Sequence, residues 1–156
     1  MEKLLIKGVA KDNCVARLSI IGVQDVPGIA FKIFSALAAR KINVDIILQS
    51  IGRDDTKDIA FTVPLDDKEE ALEVLDGLHK VLKAHEILSD DNVTKVSIVG
   101  AGMATNPGVA AKMFEALADA NINIQMISTS EIKISVLIEK KDADRAVAAI
   151  HEAFAV

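Results

Sequence analysis

The sequence contains no tryptophan, no tyrosine and a single cysteine, Cys14. One thiol cannot close an internal disulfide, so the fold must rest on packing, as in proteins of a reducing cytoplasm. Cys14 has no candidate base near it in sequence and reads as a buried structural thiol. No basic cluster is interleaved with aromatics, which removes the stacking platforms that nucleic acids use. The net charge of −5 disfavours nucleic acid and anionic membranes as partners. No run of eighteen apolar residues exists to span a bilayer, and the apolar part of MEKLLIKG is shorter than a secretory signal requires. A soluble cytoplasmic protein is expected.

The chemistry of catalysis is also missing. His79, His85 and His151 lie far apart and read as surface or packing residues, not metal ligands. GAGMAT follows a strand-like run, but Thr105 stands where a dinucleotide fingerprint needs its third glycine. No nucleophile–base pair or phosphate-cradling glycine loop with lysine is present. The expectation is a chain without cofactor or metal, and not an enzyme by itself.

What is present is a repeat. PGIAFKIFSALAARKINVDIILQS, Pro27 to Ser50, lies over PGVAAKMFEALADANINIQMISTS, Pro107 to Ser130, at a constant offset of 80 residues. Lys32/Lys112, Phe34/Phe114, Leu37/Leu117, Asn43/Asn123 and Ser50/Ser130 are among the identities. Beyond the ungapped block, IAFTV at 59–63 matches ISVLI at 134–138, with five fewer loop residues in the second copy. A fixed period of this kind signals a duplicated structural module.

Each copy reads strand, helix, strand, strand, helix. ARLSIIGV and TKVSIVGA are β-rich runs. Ala30, Ile33, Phe34, Leu37 and Ala38 form one apolar stripe at helical spacing, as do Ala110, Met113, Phe114, Leu117 and Ala118. Pro27 and Pro107 suit the first turn of those helices, where a missing N–H costs nothing. VDIILQSI and INIQMIST read as second strands, and GRDDTKD as a solvated hairpin connection. The last helices carry the stripes Ala71, Val74, Leu75, Leu78 and Ala143, Ala146, Val147, Ile150, Phe154.

The first copy continues into VLKAHEIL, Val81 to Leu88, as a fourth strand, whereas the second has none after its helix. KLLIKGV, Lys3 to Val9, is a spare strand at the start and is predicted to complete the second module's sheet. The fold expected is therefore α+β: two ferredoxin-like βαββαβ modules with antiparallel sheets and helices on one face. The boundaries are 10–90 for the first module and 2–9 plus 91–156 for the second. Val44, Ile46 and Leu48 should point one way and Asp45, Ile47 and Gln49 the other. Neither set is wholly polar, so the helix-free face is expected to be covered by another sheet, in a homodimer.

VQDVPGIA turns a strand into a helix within a few residues. The free amides of a first helical turn favour a carboxylate, and Gly28 lets a ligand approach the backbone. Asp25 could accept from an ammonium, and Gln49 offers an amide for a side chain. These groups suit a free α-amino acid, although an Asp before Pro-Gly also serves as a plain helix cap.

The βαββαβ pattern with a Pro-Gly-[Ile/Val]-Ala corner resembles the ACT domain, a small-molecule regulatory module of amino-acid metabolism. VQDVPGIA, NVDIILQS, VSIVGAGM and above all INIQMISTSEIKISVLI resemble the regulatory region of aspartate kinases, from Gly8 to the final helix. The resemblance implies threonine at Asp25, Gly28, Ile29, Ala30 and Gln49, with Asn123 and Ile124 contributed by a partner chain's second module. A second site, for lysine in lysine-sensitive members, matches Asp45, Ala110 and Ser130. Ala110 stands where such members carry a hydroxyl residue, so threonine is the firmer expectation. The implied role is feedback inhibition of aspartate phosphorylation by end-product amino acids, with the kinase's catalytic domain and a second copy of the chain as partners. The alternatives are a structural dimerisation module with empty corners, and an ACT-type regulator of another amino-acid enzyme.

Overall fold

A computed structural model describes residues 5–101, 106 and 108–155, with backbone alone at 5–7 and 101. The expectations concerning Lys3, Leu4 and Pro107 fall outside the described residues. The chain forms two compact units, Cys14–Asp91 and a second in which Asn92–Val156 joins the N-terminal strand.

That strand, β1 (Leu5–Asp12), runs to Asp12, so Ala10, Lys11 and Asp12 extend it into the second unit. The first unit follows as β2 (Val15–Gln24), α1 (Ile29–Ala39), β3 (Ile47–Gln49), β4 (Thr56–Pro64), α2 (Lys68–Gly77), the short α3 (His79–Leu82) and β5 (Glu86–Asp90). Its antiparallel sheet has the order β3-β4-β2-β5. Leu18, Ile20, Ile59 and Phe61 alternate onto one face and meet Ile33 and Leu37 of α1 and Leu75 of α2 in a closed core. Phe61 meets Phe34 edge to face, with ring centroids 5.4 Å apart at 75°.

The second unit contains β6 (Val93–Ala101), α4 (Gly108–Asp119), β7 (Met126–Thr129), β8 (Lys133–Glu139) and α5 (Ala143–Phe154). Its sheet order is β1-β6-β8-β7. The strand β1 therefore holds the position that β5 holds in the first unit, pairing antiparallel to β6 from Leu5↔Ala101 to Asp12↔Lys95. Val96, Ile98, Val136 and Ile138 face Met113, Leu117, Ala146 and Ile150 in the second core. Both units are ferredoxin-like βαββαβ modules, and the N-terminal strand completes the second, as the strand count in the sequence requires.

Several local expectations are corrected. VDIILQS is a strand only at Ile47–Gln49, because Thr62 draws the preceding segment out of register. The Ile46 amide donates to the Thr62 hydroxyl at 3.0 Å and the Asp45 amide to the Thr62 carbonyl at 3.2 Å. The simple alternation fails with it: Val44 packs on the core, while Leu48 pairs with Ala60 on the helix-free face. Only the last three residues of VLKAHEIL are strand, since α3 takes Val81 and Leu82 and Lys83 ends that turn at φ 50°. Ala38 and Ala118 are exposed, and Ile29 is the buried residue at the start of the α1 stripe. Pro27 precedes the N-cap Gly28 and so lies outside the first helical turn. Cys14 is exposed in the connection between β1 and β2, where no core reaches it. No helix among the described residues is long and apolar enough to cross a membrane.

Candidate functional site

The corner forms where β2 stops and α1 starts. Gly28 adopts φ +91°, a left-handed conformation natural to glycine, and serves as N-cap without any side-chain cap hydrogen bond. The Ile29 amide donates to the Val26 carbonyl at 3.4 Å, and Lys32 begins the helical ladder by donating to the Gly28 carbonyl at 3.0 Å. The amides of Ala30 and Phe31 have no helical carbonyl behind them, as at any helix start. A Cβ placed on Gly28 would meet nothing within 4 Å, so the space above the turn is open.

Asp25 does not cap the helix. Its Oδ1 lies 3.2 Å from the Lys57 ammonium on β4, and its side chain remains 42% exposed. Its amide donates to the carbonyl of Asp55 at 2.8 Å. Its Oδ2 rests against Gly52, where an added Cβ would come within 2.1 Å of it. The plain-cap alternative is thereby removed, and the carboxylate is held at the mouth of the corner. Val26, Phe31 and Ile51, three exposed apolar side chains, come from the same turn, helix start and hairpin.

Gln49 is exposed on β3, across β4 from the corner strand and paired with Ile59. The structure thus gathers Asp25, Gly28, Ile29, Ala30 and Gln49 in one unit. Asn123 is exposed and Ile124 half-buried in the α4–β7 connection of the other unit. Of the second set, Asp45 belongs to the first unit, while Ala110 in α4 and Ser130 after β7 belong to the second. Ser130 closes its own hairpin, its amide donating to the Lys133 carbonyl at 2.8 Å.

Sequence reasoning missed Lys57, Gly52 and Asp55, taking their segment for a solvated connection. Lys57 stands opposite Val23 in the ladder, two residues before Asp25. Only that register, which a linear reading does not contain, brings the ammonium to the corner. Among the described residues no group of three or more His, Cys, Asp or Glu could hold a metal ion.

The second corner differs in geometry as well as charge. There α4 begins at Gly108 itself, outside the left-handed region, and the Asn106 carbonyl accepts from Val109 at 3.2 Å, the role Val26 has in the first. Residues 101–107 include no acid.

Two ferredoxin-like modules, one with an open helix-start corner, define the class, and the family model of the ACT domain matches residues 18–77 and 96–154. The chain belongs to the ACT domain family, and within it to the regulatory subunits and regulatory regions of aspartate kinase. It is 51% identical over 154 residues to the aspartate kinase Ask_LysC of Stutzerimonas stutzeri and 50% identical to an aspartokinase of Pseudomonas aeruginosa. Those matches take in 99% of this chain but 37% of either relative, so the chain spans just over a third of their length. The ligand-free regulatory subunit of aspartate kinase from Thermus thermophilus superposes with a TM-score of 0.92 at 45% identity, over 96% of this chain and 99% of that one. A structure of aspartokinase alpha and beta subunits matches with a TM-score of 0.91 at 46% identity, over 97% and 99%.

Proposed function

We propose that the chain is the non-catalytic regulatory part of a cytoplasmic aspartate kinase and binds L-threonine at the corner built by Asp25, Gly28, Ile29, Ala30 and Gln49. The observation that carries this reading is the corner itself. It offers uncapped amides for a carboxylate, open space above Gly28 and a fixed acid for an ammonium, complementary to the charged head of a free amino acid. Asn123 and Ile124 of a second copy complete the site, and Asp45, Ala110 and Ser130 are the candidate set for lysine. The alanine at 110 makes lysine the weaker ligand.

A homodimer is supported by the helix-free face of the first module. Leu48, Ala60, Ser19 and Leu88 form one row across that sheet, and the leucines at its two ends are about half exposed. Regulation is then linkage. Threonine favours the inhibited arrangement of the kinase only as far as it binds that arrangement more tightly, a coupling typically of about 1–3 kcal/mol. Calorimetric titration of threonine into the chain and its Asp25→Ala variant tests the proposal. Binding to the parent and its loss in a folded variant is the expected result; equal affinity would refute it.

A further inference from the structure

We infer that Lys57 and Gly52 are positioning residues for the Asp25 carboxylate, so that the β3–β4 hairpin sets the geometry of the corner. The inference rests on the corner being the amino-acid site proposed above. Left to itself, a carboxylate on an exposed turn samples several rotamers, and a ligand must pay to fix it. Here both oxygens have partners within the chain itself: Oδ1 the Lys57 ammonium at 3.2 Å, Oδ2 the bare Cα of Gly52. Lys57 is only 16% exposed and lies in the β2–β4 ladder, so its ammonium comes from a fixed base. A carboxylate offers about four lone-pair directions, and one lysine leaves the others for a second ammonium.

The hairpin that carries both residues is itself closed. The Arg53 and Thr56 amides donate to each other's carbonyls at 2.7 and 2.9 Å, and the Thr56 hydroxyl donates to the Arg53 carbonyl at 3.0 Å. The Asp25 amide bond to Asp55 ties the corner's backbone to that closed loop. Ion pair, glycine contact and backbone bond therefore all run from one hairpin to one residue.

The duplication supplies an independent comparison. At the offset of 75 that aligns IAFTV with ISVLI, Lys57 becomes Ile132, which is 60% exposed. The second hairpin is five residues shorter and has no counterpart of Gly52, and residues 101–107 contain no acid. The acid, its ammonium and its glycine seat are absent together, as parts of one device would be.

The test uses the full chain as parent, Lys57→Met, Lys57→Arg and Gly52→Ala, with two readouts. Three-bond NMR couplings of unliganded Asp25 report its χ1 rotamer, and calorimetry reports threonine affinity. The parent should show one rotamer, averaged in Lys57→Met, displaced in Gly52→Ala where the new Cβ would overlap Oδ2, and restored in Lys57→Arg. Threonine affinity should fall roughly tenfold in Lys57→Met, about 1.4 kcal/mol, and recover most of that loss in Lys57→Arg. In an Asp25→Asn background Lys57→Met should cause no further loss. An unchanged rotamer in Lys57→Met, or an averaged rotamer with unchanged affinity, would overturn the inference. A parent that binds no amino acid would remove the ligand reading, while the couplings still decide whether Lys57 positions Asp25.

Discussion

Replacing Gly28 with alanine separates the strain of the corner from its use. The residue sits at φ +91°, and its new Cβ would point into space with no atom within 4 Å. No clash arises, so the cost to folding is backbone strain alone, about 1–2 kcal/mol for an L-residue held in the left-handed region. The unfolded chain loses freedom with the same change, which returns about 0.4–1 kcal/mol. The net loss should be about 1 kcal/mol, read as a lower urea midpoint at unchanged slope. The same methyl fills the opening through which a ligand would reach the first-turn amides, so threonine binding should disappear from calorimetry while the chain stays folded. Gly108→Ala is the control: its φ is outside the left-handed region and its Cβ would make an ordinary 3.6 Å contact with Asn106, so stability and binding should barely move. Threonine affinity unchanged in Gly28→Ala would refute the corner as the site. A stability loss above about 3 kcal/mol would refute the open space above Gly28.

Phe61→Ala should destabilise the first module by about 3–5 kcal/mol, through a cavity beneath Phe34, and give a first unfolding transition in urea that leaves the second module intact. Ser97 and Ser135 share a buried hydrogen bond of 2.7 Å, so Ser97→Ala should cost about 1–3 kcal/mol and the double alanine variant less than either single one. Lys11 on β1 reaches Asp144 in the first turn of α5 at 2.6 Å, and this hydrogen bond and charge hold the Asp144 carboxyl below its ordinary value of 3.8. A lowered folded pKa stabilises above the unfolded value and is lost as pH falls through the folded one. Lys11→Met should therefore be less stable than the parent above pH 3.8, with the difference vanishing in stronger acid; a gap that persists there would refute the pairing.

The fold was legible because the chain states it twice. The constant offset of 80 residues fixed two copies of one element order, and the surplus strand at one end matched the missing strand at the other. What escaped depends on contacts between distant residues. The shortening of β3 follows from the Thr62 hydroxyl capturing the Ile46 amide sixteen residues away, and β-rich composition at VDIILQS gives no hint of it. The lower half of VLKAHEIL could pass for a strand until Leu82 is seen fully buried in the first core, which α3 delivers better than an extended chain. At the corner, Asp25 and Gly28 could be singled out as candidates from local chemistry alone, since a helix start after an acid is visible in eight letters. Lys57 and Gly52 were not, because a polar hairpin looks the same whether it is solvated or folded back onto a carboxylate.

That difference explains how one scaffold can carry two unlike corners. The cores of the two modules are built from the same positions, Ile33, Leu37, Ile59 and Phe61 in one and Met113, Leu117, Ile134 and Val136 in the other, so the fold does not depend on the turn. Change is therefore tolerated where β2 or β6 meets its helix. In the first module the turn stays outside the helix at Gly28, leaving a gap that a charged pair from β4 and the β2–α1 turn borders. In the second the helix takes in Gly108, and the matching hairpin brings Ile132 in place of an ammonium. Replacing Ile132 with lysine alone would then add a cation with no acid in residues 101–107 to face it, and should give the second corner no affinity for an amino acid in calorimetry. The two corners thus differ in a carboxylate with its supports, for which residues 101–107 offer no acid, and in where the helix begins.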